Sequence, residues 1–201
     1  MNLTTENRRI GEIIAASTNQ FTAQVLPSSE LDWSRVPPLG SLVRAVSETV
    51  PAQVLGVVCH VETTGLDGVH RPLALNLSRQ QLREQQPQIF DLLTTQFEAV
   101  TVGYLEAGIF YQYFPPYPPQ IHDFTHLCPD AELTRFTERL FCLRTLLQHP
   151  ASSDEVIAAF LRLSSRARGG EREFLVTAGR QLSALLKDNY DRLASILQRL
   201  E

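Results

Sequence analysis

The residues with the most chemical reach lie in the second half of the chain. His122, His126 and Cys128 are zinc-type ligands, and their even spacing would line them on one face of an extended strand, with Phe124 between the histidines. Histidines four residues apart in a strand stand about 13 Å apart, too far to share one ion without a bend. A fourth ligand is not evident, so ordinary buried histidine and thiol side chains are the plainer reading, and no metal or other cofactor is expected. Asp123 beside His122, with Ser152 or Ser153 further on, offers the parts of a hydrolase, yet no serine stands in a nucleophile elbow. Asp154 and Glu155 read more simply as first-turn helix residues, which the helix dipole favours. Nothing here sets out an enzyme.

Two further groupings suit binding better than reaction. Arg162, Arg166, Arg168 and Arg172 surround Gly169-Gly170 in SSRARGGER, where guanidiniums could grip phosphate or an acidic partner. The alternative is a solvated helix end with arginines on its last carbonyls. The stretch 104–130, YLEAGIFYQYFPPYPPQIHDFTHLCPD, holds five of the twelve prolines and four of the five tyrosines. Proline pairs bias backbone to extended geometry, so this is a stiff aromatic strap. Within it Tyr111, Tyr113, Phe114 and Tyr117 form the best candidate recognition surface, because tyrosines beside prolines present rigid contact area. Their alternative task is to close one end of a barrel.

The strap is also the seam of the fold, with short strands before it and helices after it. Met1–Asn7 is polar and reads as frayed. RRIGEIIAAST and FTAQVL form a hairpin turning at Ser17–Asn19, and PSSELDWSRVPP is a loop carrying Trp33. LGSLVRAVSE is a third strand, and AQVLGVVCHVET is so continuously apolar that it predicts a strand buried on both faces. Gly56 inside it marks a bulge or a close approach. After the polar turn GLDGVHRP, the period changes near 78–95: Ser78 and Gln81 make a capping box, Pro87 opens a second turn, and a helical insertion results. FEAVTVGYL and IFYQYF follow as a hairpin around Glu106–Gly108. Six strands with few helix formers predict a small closed or nearly closed barrel.

Beyond Asp130 the period is helical. Asp130 caps a helix running through AELTRFTERLFCLRTLLQH, with Leu133, Phe136, Leu140, Leu143 and Leu147 on one face. Ser152 and Glu155 cap SDEVIAAFLRLSSRAR, which Gly169-Gly170 ends. EREFLVTAGRQLSALLKDNYDRLASILQRLE predicts one helix of about 30 residues, about 45 Å long. Its stripe from Phe174 to Leu200 packs within the chain or, as the alternative, pairs two copies as a coiled-coil homodimer. The expected fold is therefore α+β: a six-stranded barrel over residues 1–128 and a helical bundle with a long last helix over 130–201.

IGEIIAASTNQFTAQVL, PPLGSLVRA and AQVLGVV, followed by VTVGYLEAGIFYQYFPPYPPQIHDFTHLCPDAEL, resemble the HAS-barrel, the N-terminal β-barrel shared by HerA-type translocases and rotary ATP synthase subunits. The resemblance runs from about Arg9 to Leu133 and implies a module that docks on a larger machine. It departs from that family where the motor should begin, because none of the ten glycines opens a phosphate loop: Gly169-Gly170 is followed by Glu171-Arg172, and Gly179 by Arg180. An adaptor or assembly factor with a protein partner is the expectation that follows, with a nucleic-acid accessory role as its alternative. A net charge of −4 and a pI near 5.8 weigh against general nucleic-acid binding. Three widely spaced cysteines, Cys59, Cys128 and Cys142, do not form a disulfide framework. With no long apolar run and no basic-apolar leader, a cytoplasmic protein without a membrane span is expected.

Overall fold

The computed structural model describes residues 9–26, 35–65 and 73–200. The readings of Met1–Asn7, of the loop around Trp33 and of the turn at 66–72 lie outside the described residues. In chain order the strands are β1 (Arg9–Ala16), β2 (Gln20–Val25), β3 (Leu42–Val46), β4 (Gln53–Gly65), β5 (Leu93–Glu106), β6 (Ile109–Tyr111) and β7 (Phe124–Leu127). Helices α1 (Arg79–Gln85) and α2 (Gln88–Asp91) fall between β4 and β5. After β7 come α3 (Asp130–Phe136), α4 (Cys142–Gln148), α5 (Asp154–Ala167), α6 (Arg172–Leu185) and α7 (Tyr190–Gln198).

The protein is α+β, and six strands close a ring in the order β1–β2–β5–β4–β3–β7 and back to β1, with every pair antiparallel. The sixth stave is β7, not the expected IFYQYF. That segment supplies β6, which pairs only with β5, through Glu106↔Ile109, Leu105↔Phe110 and Tyr104↔Tyr111. The hairpin itself is as expected: Ala107 and Gly108 take φ of 50° and 78°, the pair of left-handed residues that a tight primed turn needs. Because β4 lies along one edge of β5, β2 and β6 share the other, and β6 stands outside the ring.

Alternation divides the barrel residues between two cores. Ile13, Phe21, Ala23, Val43, Val54, Val58, Phe97 and Ala99 fill the interior. Their neighbours Leu42, Leu55, Val57, Val100 and Val102 point outward and are equally buried, under the helices. This is why β4 reads as an unbroken apolar run up to Cys59: both faces are covered from Val54 to Cys59, whereas His60–Gly65 is largely exposed. Gly56 faces inward, where a Cβ would meet the Phe21 ring at 2.7 Å, and the register of β4 on β5 shifts beside it.

The cover is organised around α5, in which Val156 through Leu161 are all buried. A helix apolar on every side belongs inside a core. Ser153, one residue beyond the expected cap, accepts from the Val156 amide and starts it. The capping box at Ser78 is formed in both directions, as read from sequence.

Two long helices of the sequence reading are each divided. The segment after Asp130 breaks between α3 and α4, with Pro129 rather than Asp130 at the cap position. The C-terminal segment breaks at Leu186–Asn189, where the Asn189 side chain accepts from the Arg192 amide and opens α7 in a new direction. There Arg192 pairs with Asp154 at 2.9 Å and donates to the Leu147 carbonyl, Ser195 donates to Asp154, and Arg199 pairs with Glu155. The cost of ending α6 early is offset because α7 folds back on α5 and buries Leu193 and Ile196. Phe174, Ala178 and Leu182 of the stripe are spent in the same core, whereas Tyr190 is 77% exposed.

Gly40 is where barrel and α5 meet most closely. Its φ is +80°, and a Cβ there would lie 2.5 Å from the Phe160 amide nitrogen and 2.7 Å from Ala159. Helix backbone cannot yield as a side-chain tip can. Gly40→Ala is therefore expected to lower stability by about 3 kcal/mol, from left-handed strain plus overpacking. In a domain of this size that is a fall of about 10 °C in Tm, readable by thermal denaturation.

Candidate functional site

The strap does not close the barrel as a flat lid. Pro115 and Pro119 are buried, and between them Tyr117 is 71% exposed. The prolines cross the β3–β4 turn and leave a cleft of about 220 Å³ lined by Val50, Pro51, Pro115, Pro116 and Pro119, with Glu106 and Asp123 at its polar margin. Gln120 anchors the far end through Thr49, at 3.3 Å. The chain then turns at His122, whose φ of 74° is unusual for a side-chain-bearing residue. The turn is held by the His122 amide on the Ile13 carbonyl and by Asp123 Oδ2, which accepts from the Gln120 amide at 2.8 Å.

Four tyrosines share two tasks. Tyr104, at the end of β5, is buried and stacks on Tyr111 with ring centroids 4.7 Å apart. Tyr113 meets both rings edge-on at 5.6 Å, with its outer side in solvent. Offset and edge-on pairs of this kind add about 0.5–1.5 kcal/mol each beyond their buried area. The Tyr104 hydroxyl donates to Tyr113 Oη at 3.4 Å, and losing that donated bond on ionisation pushes the Tyr104 phenol up to about 12. Tyr111 and Tyr113 thus meet, Tyr113 and Phe114 line one groove, and Tyr117 borders the proline cleft; Tyr113, Phe114 and Tyr117 are exposed.

A residue without any mark in the sequence joins this surface to the helices. The Gln112 amide nitrogen donates to the carbonyls of Phe136 and Arg139, at 2.5 and 2.7 Å, and its oxygen accepts from the Cys142 amide at 2.9 Å. These are the groups that a continuous α3–α4 helix would bond within itself, so one side chain stabilises the break. The break in turn presents Phe141, 58% exposed, beside Tyr113 and Phe114. Two grooves flank this ridge. One, of about 660 Å³, lies between β6 and the α3–α4 turn; the other, of about 540 Å³, lies between Phe114, Arg144 and Leu185. Arg135 stacks on Phe110 and donates to the Gly108 carbonyl, and Arg139 lies over Phe141.

The other candidates are scattered. His122 is exposed and contacts Glu12 through Nδ1 at 2.5 Å, His126 is buried on β7, and Cys128 lies in the core beneath α3. Among the described residues no three His, Cys, Asp or Glu side chains converge as metal ligands would. Burial raises all three thiols, Cys59 to about 11 and Cys142 to about 12, with Cys128 pushed higher still. Of the arginine group, Arg162 donates to the Arg199 carbonyl, and Arg168 donates to the Ser164 and Thr134 carbonyls while lying 4.3 Å over Phe174. Burial lowers the Arg168 pKa. Arg166 and Arg172 are exposed, so the four do not form one grip. Ser152 is buried, and Ser153 is occupied as the α5 cap.

The site therefore defines a class only: an α+β protein whose closed barrel and helical cover expose a rigid aromatic ridge. No family model and no curated protein matches this chain.

Two outcomes follow from the geometry. Gln112→Ala leaves the fully buried Cys142 amide without its acceptor and should cost about 2 kcal/mol in denaturant unfolding, whereas a surface glutamine would cost almost nothing. In spectrophotometric titration one tyrosine should ionise near pH 12, and Tyr113→Phe should bring it down toward 10. Since the folded value lies above the unfolded one, this contribution to stability is complete below pH 10 and is lost as pH rises toward 12.

Proposed function

We propose that this protein is a non-enzymatic interaction module, an adaptor or assembly factor that docks on a larger complex through the aromatic ridge. The observation that carries the reading is the ridge itself: Tyr113, Phe114 and Phe141, between 46% and 59% exposed, line one groove beside a proline-stiffened strap that also presents Tyr117, 71% exposed. Monomeric proteins seldom leave large apolar groups contiguous and exposed, and aromatic residues are enriched at the cores of interfaces. The hydrolase parts speak for no competing site, since Ser153 caps a helix and His122 and Asp123 are occupied at a turn.

A closed six-stranded barrel is compatible with kinship to the HAS-barrel, although it is a generic shape, and the ATPase-type partner is inferred from that resemblance. The helices after β7 are read as a small bundle grafted where the motor would stand. Three free, buried thiols suit a reducing cytoplasm, and no helix among the described residues is long and apolar enough to cross a membrane.

The test places the photo-crosslinking residue p-benzoylphenylalanine at Phe141, Tyr113 or Tyr117, with Val176 on α6 as an exposed control, and irradiates source cells. A discrete protein adduct at the ridge positions and none at Val176 is expected. Adducts at all four, or at none, overturn the reading. Crosslinks to nucleic acid would transfer it to the accessory-protein alternative.

A further inference from the structure

We propose that the groove between β6 and the α3–α4 turn receives an acidic, extended segment of a partner protein, added as a further strand to the free edge of β6. This deepens the interaction reading above and rests on it. Three independent features point to this occupant.

The first is the edge. β6 pairs with β5 alone, and Glu106↔Ile109 flanks a two-residue turn, so it is the hydrogen-bonded pair. Alternation then makes Leu105↔Phe110 the non-bonded pair and directs the Phe110 N–H and C=O away from β5. An open edge offers donors and acceptors to any extended chain, and short strands with strongly shaped surroundings limit which chain fits.

The second is shape. The groove alongside this edge has a volume of about 660 Å³ and is walled on its far side by Phe136, Arg139 and Phe141. The exposed rings of Tyr113 and Phe141 line it. Those rings supply anchors for alternate side chains of an added strand.

The third is charge. Arg135 and Arg139 line this groove against the one carboxylate of Glu138, and Arg144 lines its neighbour across the ridge. The chain as a whole carries −4, so this face runs against the overall balance. Arg135 uses part of its guanidinium on the Gly108 carbonyl and keeps further N–H donors; Arg139 lies over the Phe141 ring. Guanidiniums stacked on aromatics beside an open backbone edge favour carboxylates and repel lysine-rich segments.

The experiment uses two fluorescein-labelled octapeptides, one alternating Glu with Val and one alternating Lys with Val, in anisotropy titrations with the full chain. The Glu peptide is expected to bind, to weaken as NaCl is raised, and to weaken by about tenfold when both arginines of the groove are reversed (Arg135→Glu with Arg139→Glu). Circular dichroism melting checks that this variant remains folded. A Glu peptide N-methylated at every second residue should also bind about tenfold more weakly, because it cannot donate along the edge. Equal binding of the Glu and Lys peptides, no binding at about 1 mM, or indifference to N-methylation overturns the proposal. So does a stable dimer of this chain that the Glu peptide fails to dissociate, since a second copy would then occupy the edge. Crosslinking at Phe141 reports a protein partner of any charge. If the crosslink succeeds and the peptide fails, the acidic strand alone is rejected; if both fail, the interaction reading falls as well.

Discussion

The outward face of β3, β4 and β5 is apolar, and the rest of the molecule follows from the need to cover it. Leu42, Leu55, Val57, Val100 and Val102 cannot turn into the barrel, because alternation has given the interior to their neighbours. Each such side chain left in water would forgo about 1.5–3 kcal/mol, against a net stability for whole domains of only about 5–15 kcal/mol. Helix α5 is the cover. Its central stretch, Val156–Leu161, is apolar all round because it has the barrel on one side and α3, α4, α6 and α7 on the others. Gly40 lets the two backbones approach more closely than any side chain there would allow. The outward face of the barrel and the helices therefore share one core, apart from the cluster that fills the barrel interior.

Polar links fix the angle at which the cover sits. Arg44 on β3 reaches Glu132 on α3 at 2.5 Å, in a partly buried pair, and Gln112 reaches across from the end of β6 to the α3–α4 break. Partly buried ion pairs add little net stability, but they select one arrangement over others of similar hydrophobic content. Gln112 matters more, since it bonds the carbonyls and the amide that face each other across the break and so helps decide where α3 ends. The same bonds determine where Phe141 stands.

What the sequence made legible were features that depend on neighbours along the chain. The two-sided burial of β4 from Val54 to Cys59, the Ala107–Gly108 turn, the Ser78 capping box and the turn opened by Pro87 are set by local pattern and side-chain chemistry, and they appear as read, although the second half of β4 is exposed. The misreadings needed a distant partner. FTHL is too short and too close to prolines to announce itself as a stave, and it becomes one only because β1 and β3 lie on either side with open edges. Both divided helices keep a continuous apolar stripe in sequence, and periodicity cannot see Gln112 or the pull of Asp154 on Arg192. The aromatic members of the candidate site were visible as a strap, but Phe141 was not, because a phenylalanine inside a helical period looks like core until the helix breaks.

The ridge has a physical character that its components would not have alone. Proline fixes φ on either side of Tyr117, the Tyr104–Tyr111–Tyr113 stack removes rotamer freedom, and Gln112 ties the opposite bank to the same strand. Side chains already held in one conformation lose little entropy when covered, and that loss, about 0.5–1.5 kcal/mol for each mobile side chain, is a main opponent of association. The fold does not need this rigidity at its surface. Neither core includes Tyr113, Phe114, Tyr117 or Phe141, and their exposure forgoes apolar burial that a polar side chain would not have sought. A surface at once stiff, aromatic and left uncovered is costly for a lone protein to keep and favourable for a bound one, and that balance is the physical support for the docking role proposed above.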